Sequence, residues 1–434
     1  MAIISLAFGQ CGNQVIHSLF QYLHDDIKNP IQGDASKFQQ HKKDYDAQAL
    51  QRWFKRNKKG QLCTRSILVD TESKAIDAFV NNKRFLYQRF VKKSIGGAAN
   101  NWAHGYCDIG STISADVLEN VRKEVECCNG SPAFLTIQSS SGGTGSGVGS
   151  YIMEEVHDEY PNSPLINTLV LPYEHGELVT QNYNTVLTVK KIYDICDVCL
   201  LFQNEQLQRL AEKVSKTSKV DFEDLNKIIA QKLASLFQPV GDNKVWNIVD
   251  QLGSHPDYKF SQIKSSPYLN KTNLGYEVSL KSPELMAHAK QMLRAPSSMD
   301  WELKYTSLSA KQNYDYVKTV ANLLITRGNC DNVDVNTLKD SKLYPTWVPP
   351  ESRLKHWHES RSLNNEPIFM TLATNNSSMH RDIETVLTQA MVMFEYDACV
   401  HQYVKHGLEK EALNEAFIKV GNIIKNYKDL GSCR

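Results

Sequence analysis

Ser141-Gly142-Gly143-Thr144-Gly145-Ser146-Gly147 is the stretch of this 434-residue chain whose residue types can do the most chemistry. Glycines at 142, 143, 145 and 147 let backbone N–H groups approach phosphate oxygens that a Cβ would push away, and Thr144 and Ser146 add hydroxyl donors. The apolar run Ala133 to Ile137 before it reads as a buried strand, and Val148, Tyr151, Ile152 and Val156 after it mark one helix face. Strand, glycine turn and helix start together aim amide groups and a positive helix end at an anion. The loop lacks the Lys-Ser/Thr pair of a P-loop. It fits a dinucleotide fingerprint only by force, because Glu154, Glu155 and Asp158 arrive too early to be its acid. A flexible linker is the bland alternative; a phosphate loop accounts better for the flanking pattern.

Acidic residues directly after a strand matter beside such a loop. Ser66 to Val69 reads as a strand ending at Asp70-Thr71-Glu72. Asp70 and Glu72 suit Mg²⁺, which takes one or two carboxylates plus phosphate oxygens; alone, such acids merely solvate a loop. Two further glycine-bearing turns accompany them. Gly9-Gln10-Cys11-Gly12 breaks the apolar strand Ile3 to Phe8 and precedes the helical stripe Val15, Ile16, Leu19, Phe20 and Leu23. Gly96-Gly97-Ala98-Ala99-Asn100-Asn101 follows the basic run Arg89 to Lys93. Leu165 to Leu171 and Asp197 to Phe202 supply later strands. This alternation predicts an α/β fold whose mostly parallel sheet is covered on both faces.

The rest of the chain sets bounds on function. Its length favours two or three domains, and 41% hydrophobic residues suffice for substantial cores. Lys plus Arg, 49, nearly cancels Asp plus Glu, 48, so nothing draws the whole chain toward nucleic acid or an anionic membrane. No apolar run is long enough to span a bilayer, and Met1-Ala2-Ile3-Ile4-Ser5-Leu6 has no basic leader, so no signal peptide is expected. Ten scattered cysteines suit a reducing cytosol. Cys196 and Cys199 spell C-x-x-C in a strand-like run, where residues three apart face opposite ways, so both are expected to be buried and structural. Lys37 to Gly60 reads as an exposed charged insertion, with a basic docking patch as the second reading. Asp221 is placed to cap a helix bearing Leu225, Ile228, Ile229, Leu236 and Phe237. Beyond about residue 240 the texture turns to short strands such as Ile368 to Leu372. Two helical stripes close the chain: Ile383, Val386, Leu387, Ala390, Met391 and Phe394, then Leu413, Ala416, Phe417, Val420, Ile423, Ile424 and Tyr427. Both read as packing faces.

Taken together in order and spacing, Gly9-Gln10-Cys11-Gly12-Asn13-Gln14, Asn100-Asn101-Trp102-Ala103 and the glycine loop resemble the tubulin family. The likeness runs the length of the chain, through Gln181-Asn182-Tyr183-Asn184, Gln203-Asn204-Glu205, Phe222-Glu223-Asp224-Leu225-Asn226 and His401-Gln402-Tyr403. Ser141, the segment Leu171 to Glu177 and the segment Val400 to Gly407 are similar to the delta class, with eta/zeta or epsilon as the other assignment. The resemblance implies a parallel-sheet nucleotide-binding domain over 1–204, a linking and core helix over 205–238, a smaller mixed-sheet intermediate domain over 239–374 and C-terminal helices over 375–434.

It also implies a guanine-nucleotide site for GTP or GDP with Mg²⁺. Gln10, Cys11, Gln14, Ala98, Ala99 and Asn100 would flank the phosphates with Ser141, Gly142, Gly143, Thr144 and Gly145. Asp70 and Glu72 would sit by Mg²⁺ and the γ-phosphate, Glu72 also serving catalysis. Glu177 would receive a ribose hydroxyl, with Gln181 nearby. Asn204 and Asn226 would read the base, since an amide both donates and accepts, and Phe222 would stack on it for about 1–3 kcal/mol.

Two departures matter. Tubulins hydrolyse GTP with a carboxylate from the adjoining subunit; counting back from His255-Pro256, that position holds Asn247, with Asp250 one turn further on. The chain is therefore expected to activate a neighbour's hydrolysis poorly; its own nucleotide could still be hydrolysed where a neighbour supplies the acid, as a weak GTPase that depends on a neighbouring subunit. Its end, Lys425 to Arg434, carries no acidic tail, which points away from a bulk lattice subunit. The resemblance implies a cytoplasmic, cytoskeletal role at centrioles or basal bodies, with other tubulins (alpha, beta or another minor class) and centriolar proteins as partners, and with neither nucleic acid nor membrane. A dehydrogenase-like enzyme lacks an acid–base constellation, whereas a tubulin fold whose nucleotide is purely structural stays open.

Overall fold

A computed structural model describes all residues except 29–37, 81–83, 94–95, 177, 216–218, 268–281, 295–301, 303–315, 331–332, 365 and 433–434. The chain divides into two compact units, the first comprising Met1–Phe20, Ala47–Asn204 and His380–Lys425.

In the first unit, strands β1 (Ile3–Phe8), β2 (Ser66–Asp70), β3 (Arg89–Lys92), β4 (Ala133–Ser139), β5 (Leu165–Leu171) and β6 (Val198–Gln203) form an all-parallel sheet in the order β6-β5-β4-β1-β2-β3. Every residue of β1, β2 and β5 is buried, as a sheet covered on both faces requires. From β1 the chain winds outward through β2 to β3, then returns to the other side of β1 for β4. The order therefore reverses between β1 and β4, and at such a switch point the loops leaving the strand ends part to make a crevice. The glycine turns at 9–12 and 140–147 are the loops that leave there.

Helices follow these strands: α1 (Gly9–Lys28), α2 (Ser111–Val125), α3 (Gly149–Glu159) and α4 (Gln181–Ile195). Strand β3 hides inside a basic run because Arg89 is not a surface charge. Its Nε donates at 2.8 Å to Glu124, a fully buried carboxylate that Arg65 (3.3 Å) and Lys55 also hold. A buried carboxylate needs such partners.

The same contact corrects the reading of residues 37–60 as an exposed insertion. Phe38–Trp53 is a helix, Phe54–Arg56 pairs with Leu62–Thr64, and Tyr45, Ala49, Trp53 and Phe54 are buried. Tyr45, Ala49 and Trp53, spaced by four, were the amphipathic signal, masked by the polar and charged residues that fill most of the helix. Trp53 and Phe54 close with Phe20 and Phe85 into an aromatic cluster, Phe20 and Phe54 centroids lying 5.4 Å apart.

Cys196 and Cys199 are both buried, as expected, but Cys196 ends α4 and only Cys199 lies on β6. The first closing stripe runs along helix α6, His380–Glu395, where Ile383, Val386, Leu387 and Ala390 are buried and Met391 is exposed. The second is buried throughout, on the helix Lys410–Ser432.

The second unit, Gln21–Asp46, Glu205–Met379 and Asn426–Arg434, holds strands β7 (Phe260–Ser266), β8 (Thr319–Gly328), β9 (Leu354–Glu359) and β10 (Ile368–Asn376). Here β10 runs antiparallel to β7 and β8, whereas β9 is parallel to β8, giving the mixed sheet expected. Helix α5 (Phe222–Phe237) starts where the sequence says, with Asp221 accepting from the Asp224 N–H at 3.0 Å. Asp26 anchors the unit: Arg361 clasps it at 3.0 Å, and Tyr45, Gln238 and the Asn364 N–H also donate to it.

Candidate functional site

The crevice at the β1/β4 switch point is built by three turns packed so closely that only glycine fits at several positions. A Cβ on Gly9 would stand 3.0 Å from the Gly145 N, one on Gly143 2.5 Å from the Ala98 O, and one on Gly147 2.3 Å from the Trp102 O. Backbones of the 9–12, 96–101 and 141–147 turns therefore lie against one another. Gly142 differs, since a Cβ there meets nothing within 4 Å. A methyl there would enter open space.

The 96–101 turn is held in a conformation that the chain would not choose. Gly96 and Gly97 have φ of +90° and +78°, and the non-glycine residues Ala99 and Asn100 follow at +47° and +51°. Each of the latter costs on the order of 1 kcal/mol or more, so surrounding structure must impose it. Successive backbone turns of this kind point N–H groups into an anion-binding concavity.

Asn184, fully buried on α4, is what imposes it. Its Nδ2 donates to the Asn100 O (2.9 Å) and the Ser141 O (2.6 Å), while its Oδ1 accepts from the Trp102 N (2.9 Å) and the Tyr403 hydroxyl (2.6 Å). One side chain thus fixes the 96–101 turn relative to the glycine loop. Thr180 Oγ1 adds a bond to the Asn100 O at 2.8 Å, and Thr71 and Thr144 hydroxyls meet at 2.6 Å. Sequence reasoning treated Asn184 only as part of a motif. Its signal was a polar run, Gln181 to Thr185, on a helix segment with no solvent face: all five side chains are buried.

The two acids take different settings. Asp70 is buried; it accepts from Asn13 Nδ2 at 3.3 Å and from the Glu72 N–H at 3.1 Å. Burial outweighs those bonds and pushes its carboxyl up to about 6. A cation beside it would reverse that penalty. Glu72 is exposed, and a Cβ on Gly97 would be 2.9 Å from its Oε1, so its carboxylate lies along the 96–101 turn. Burial pushes the Cys11 thiol up to about 12, which leaves it no nucleophile.

The structure brings Gly9, Gly145, Ala98, Asn100, Ser141, Gly143 and Glu72 to one crevice, and sets Thr144 there through Thr71. Gln10, exposed, Cys11 and Gln14 open the helix that leaves β1. Gln181 donates to the Tyr173 O at 2.9 Å, and a Cβ on Gly176 would stand 2.0 Å from its Oε1, so its side chain lies against the segment that leads to residue 177. Asn204 stands half-buried where β6 gives way to the next helix. Phe222, 62% exposed, and Asn226, buried, are on α5 of the second unit. There too, Asn247 accepts the Lys244 N–H at 2.8 Å and caps its own helix, Val245–Leu252. Glu177 lies outside the described residues.

These residues fit a nucleotide's phosphates with Mg²⁺: glycines that a Cβ would jam, left-handed turns aiming amides, hydroxyls at Thr144 and Ser141, and a buried carboxylate wanting a cation.

Comparison with known proteins agrees with this geometry. Residues 2–212 match the Tubulin/FtsZ family, GTPase domain. The tubulin delta chain of Macaca fascicularis is 29% identical across 99% of this chain and 100% of its own length, and that of Homo sapiens 28% over the same shares. The tubulin beta chain of Cicer arietinum is 24% identical across 98% of this chain and 94% of its own. A GTPase domain implies guanine-nucleotide binding, and the α/β architecture is the tubulin fold. With that domain at its head and tubulins aligned along its whole length, the chain belongs to the tubulin superfamily, and its resemblance to the delta class exceeds that to beta tubulin.

Proposed function

We propose that this cytoskeletal tubulin-family protein binds GTP or GDP with Mg²⁺ at the β1/β4 crevice and acts in microtubule organisation at centrioles or basal bodies. The Asn184 hub is the observation that carries the nucleotide reading, because it holds two phosphate-binding turns in one strained arrangement. Amides of Gly142 to Gly145 and Ala98 to Asn100, with the hydroxyls of Ser141 and Thr144, would hold the phosphates. Asp70 and Glu72 would hold the Mg²⁺, which neutralises phosphate charge when bound. Base and ribose contacts rest on the family likeness of Asn204, Asn226, Phe222, Glu177 and Gln181.

Hydrolysis in the family needs an acid from a neighbour, and Asn247 supplies none. Its amide oxygen is already engaged in capping, and an amide cannot take up the proton of an attacking water. The chain accordingly receives or retains nucleotide better than it triggers turnover next door. Likeness to delta tubulins supports the centriolar placement and other tubulins as partners.

Displacement of a fluorescent guanine nucleotide tests the site. GDP and GTP should compete at stoichiometric levels and ATP or NAD only in large excess; equal competition by all four refutes guanine selectivity. Imaging the tagged chain tests its place in the cell, where enrichment along cytoplasmic microtubules without a centriolar focus refutes the specialised role.

A further inference from the structure

His104, Asp108 and His406 make a cluster that the nucleotide site does not use, joining segments 298 residues apart. His104 and Asp108 stand four apart on one face of the wide helical turn His104–Gly110, and His406 reaches them from the turn after Val400–Val404. Asp108 Oδ2 lies 2.9 Å from His104 Nδ1 and 2.6 Å from His406 Nδ1, and the two imidazole centroids are 4.4 Å apart. One ligating atom from each residue falls within 4.8 Å of the other two.

We infer that this cluster is a binding site for a divalent transition cation of the Zn²⁺ class. Two imidazoles and one carboxylate are the donors that Zn²⁺, Ni²⁺ and Cu²⁺ favour, whereas Mg²⁺ and Ca²⁺ take oxygen ligands throughout. Ligand atoms about 2.1 Å from a tetrahedral ion are about 3.4 Å from one another, so occupancy asks for side-chain adjustments of about an ångström. The side chains can make them, since His104, Asp108 and His406 are 26%, 47% and 18% exposed. Three protein ligands facing solvent leave water to complete the coordination.

The backbone needs no such adjustment. Asn101 Oδ1 accepts the N–H of His104 at 3.2 Å and of Ala103 at 2.8 Å, while its Nδ2 donates to the Gln402 O at 3.1 Å. One asparagine therefore fixes both ligand-bearing segments before any ion arrives. Asn101 directly follows the left-handed Asn100, so a bound cation would clamp the 400–407 segment beside the phosphate turn.

The test uses tag-free, full-length protein loaded with GDP in excess Mg²⁺. Zn²⁺ is titrated against a chromogenic indicator, and Co²⁺ is followed by its visible absorption. One equivalent of Zn²⁺ should bind, with a cobalt spectrum of nitrogen and oxygen donors. His406→Gln and Asp108→Asn should each weaken binding at least tenfold while GDP stays bound, and Cys107→Ser, on the same exposed turn, should change nothing. Zn²⁺ uptake equal in wild type and His406→Gln would overturn the site. A cobalt spectrum of thiolate ligation, lost in Cys107→Ser, would equally overturn it.

Discussion

Replacing Asn184 with alanine removes four hydrogen bonds from the centre of the phosphate crevice. Their loss is uneven. The Asn100 O keeps its bond from Thr180 Oγ1 (2.8 Å), and the Tyr403 hydroxyl keeps the Thr180 O (3.3 Å). The Ser141 O and Trp102 N lose the partner that the side chain gave them at 2.6 and 2.9 Å. A buried polar group stripped of its partner costs about 1–3 kcal/mol, so these two bring the change to about 2–6 kcal/mol. Part lowers overall stability, and part releases the left-handed turn at Ala99 and Asn100, which then relaxes away from the glycine loop. If only about 1.4 kcal/mol of it falls on the bound state, nucleotide affinity drops tenfold. Equilibrium titration with a fluorescent GDP analogue, paired with denaturant unfolding of the same samples, separates the two shares. Asn184→Asp provides the contrast. It keeps the acceptor for Trp102 and Tyr403 but turns a carboxylate toward two carbonyl oxygens, and should lose at least as much affinity. A folded Asn184→Ala protein binding GDP within twofold of wild type would refute the claim that this hub shapes the crevice.

Other substitutions probe the remaining parts. Gly142→Ala puts a methyl into open space and should leave the unfolding midpoint unchanged while weakening GDP binding, whereas Gly143→Ala must displace the Ala98 backbone and should lower both; the reverse order in thermal melts and titrations would place phosphate elsewhere. Asp70 has a folded-state pKa raised to about 6 from an ordinary 3.8, so between those values the native state holds the extra proton. In Mg²⁺-free, nucleotide-free protein its contribution to stability falls as pH rises across that window, by at most about 3 kcal/mol, and stays low above it. Asp70→Asn should flatten that slope and stabilise the free protein at neutral pH while abolishing the Mg²⁺ dependence of GTP affinity; a mutant that keeps both slope and Mg²⁺ dependence disproves the assignment. Asn247→Glu keeps an acceptor at the third position of its helix, where glutamate caps well, and supplies the missing acid. Mixed with a partner tubulin under assembly conditions, it should raise GTP turnover at least tenfold, and wild-type turnover already at that level contradicts the reading.

The parts legible from sequence were those whose signal is local. Ile3–Phe8 and Leu165–Leu171 were bounded correctly because fully buried parallel strands are unbroken apolar runs. The Asp221 cap and the glycine loop likewise carry their reasons within a few residues. Strand β3 was hidden because Arg89 spends its charge on Glu124, 35 residues away. The helix over Phe38–Trp53 looked exposed because its polar and charged residues outnumber its apolar ones. In the crevice, glycines announced the cradle, but left-handed geometry at Ala99 and Asn100 has no glycine to announce it. Asn184 and Tyr403 meet across 219 residues, a pairing that only the fold creates.

The central claim is that the crevice holds guanine nucleotide, and the most direct measurement is to denature the purified protein and identify by chromatography what it releases. Near-stoichiometric GTP or GDP is the expected result, their ratio reporting how far a neighbour's acid has acted on this chain's own nucleotide. Release of a nicotinamide or adenine nucleotide, or of no nucleotide from protein purified with Mg²⁺ and GTP present, would contradict it.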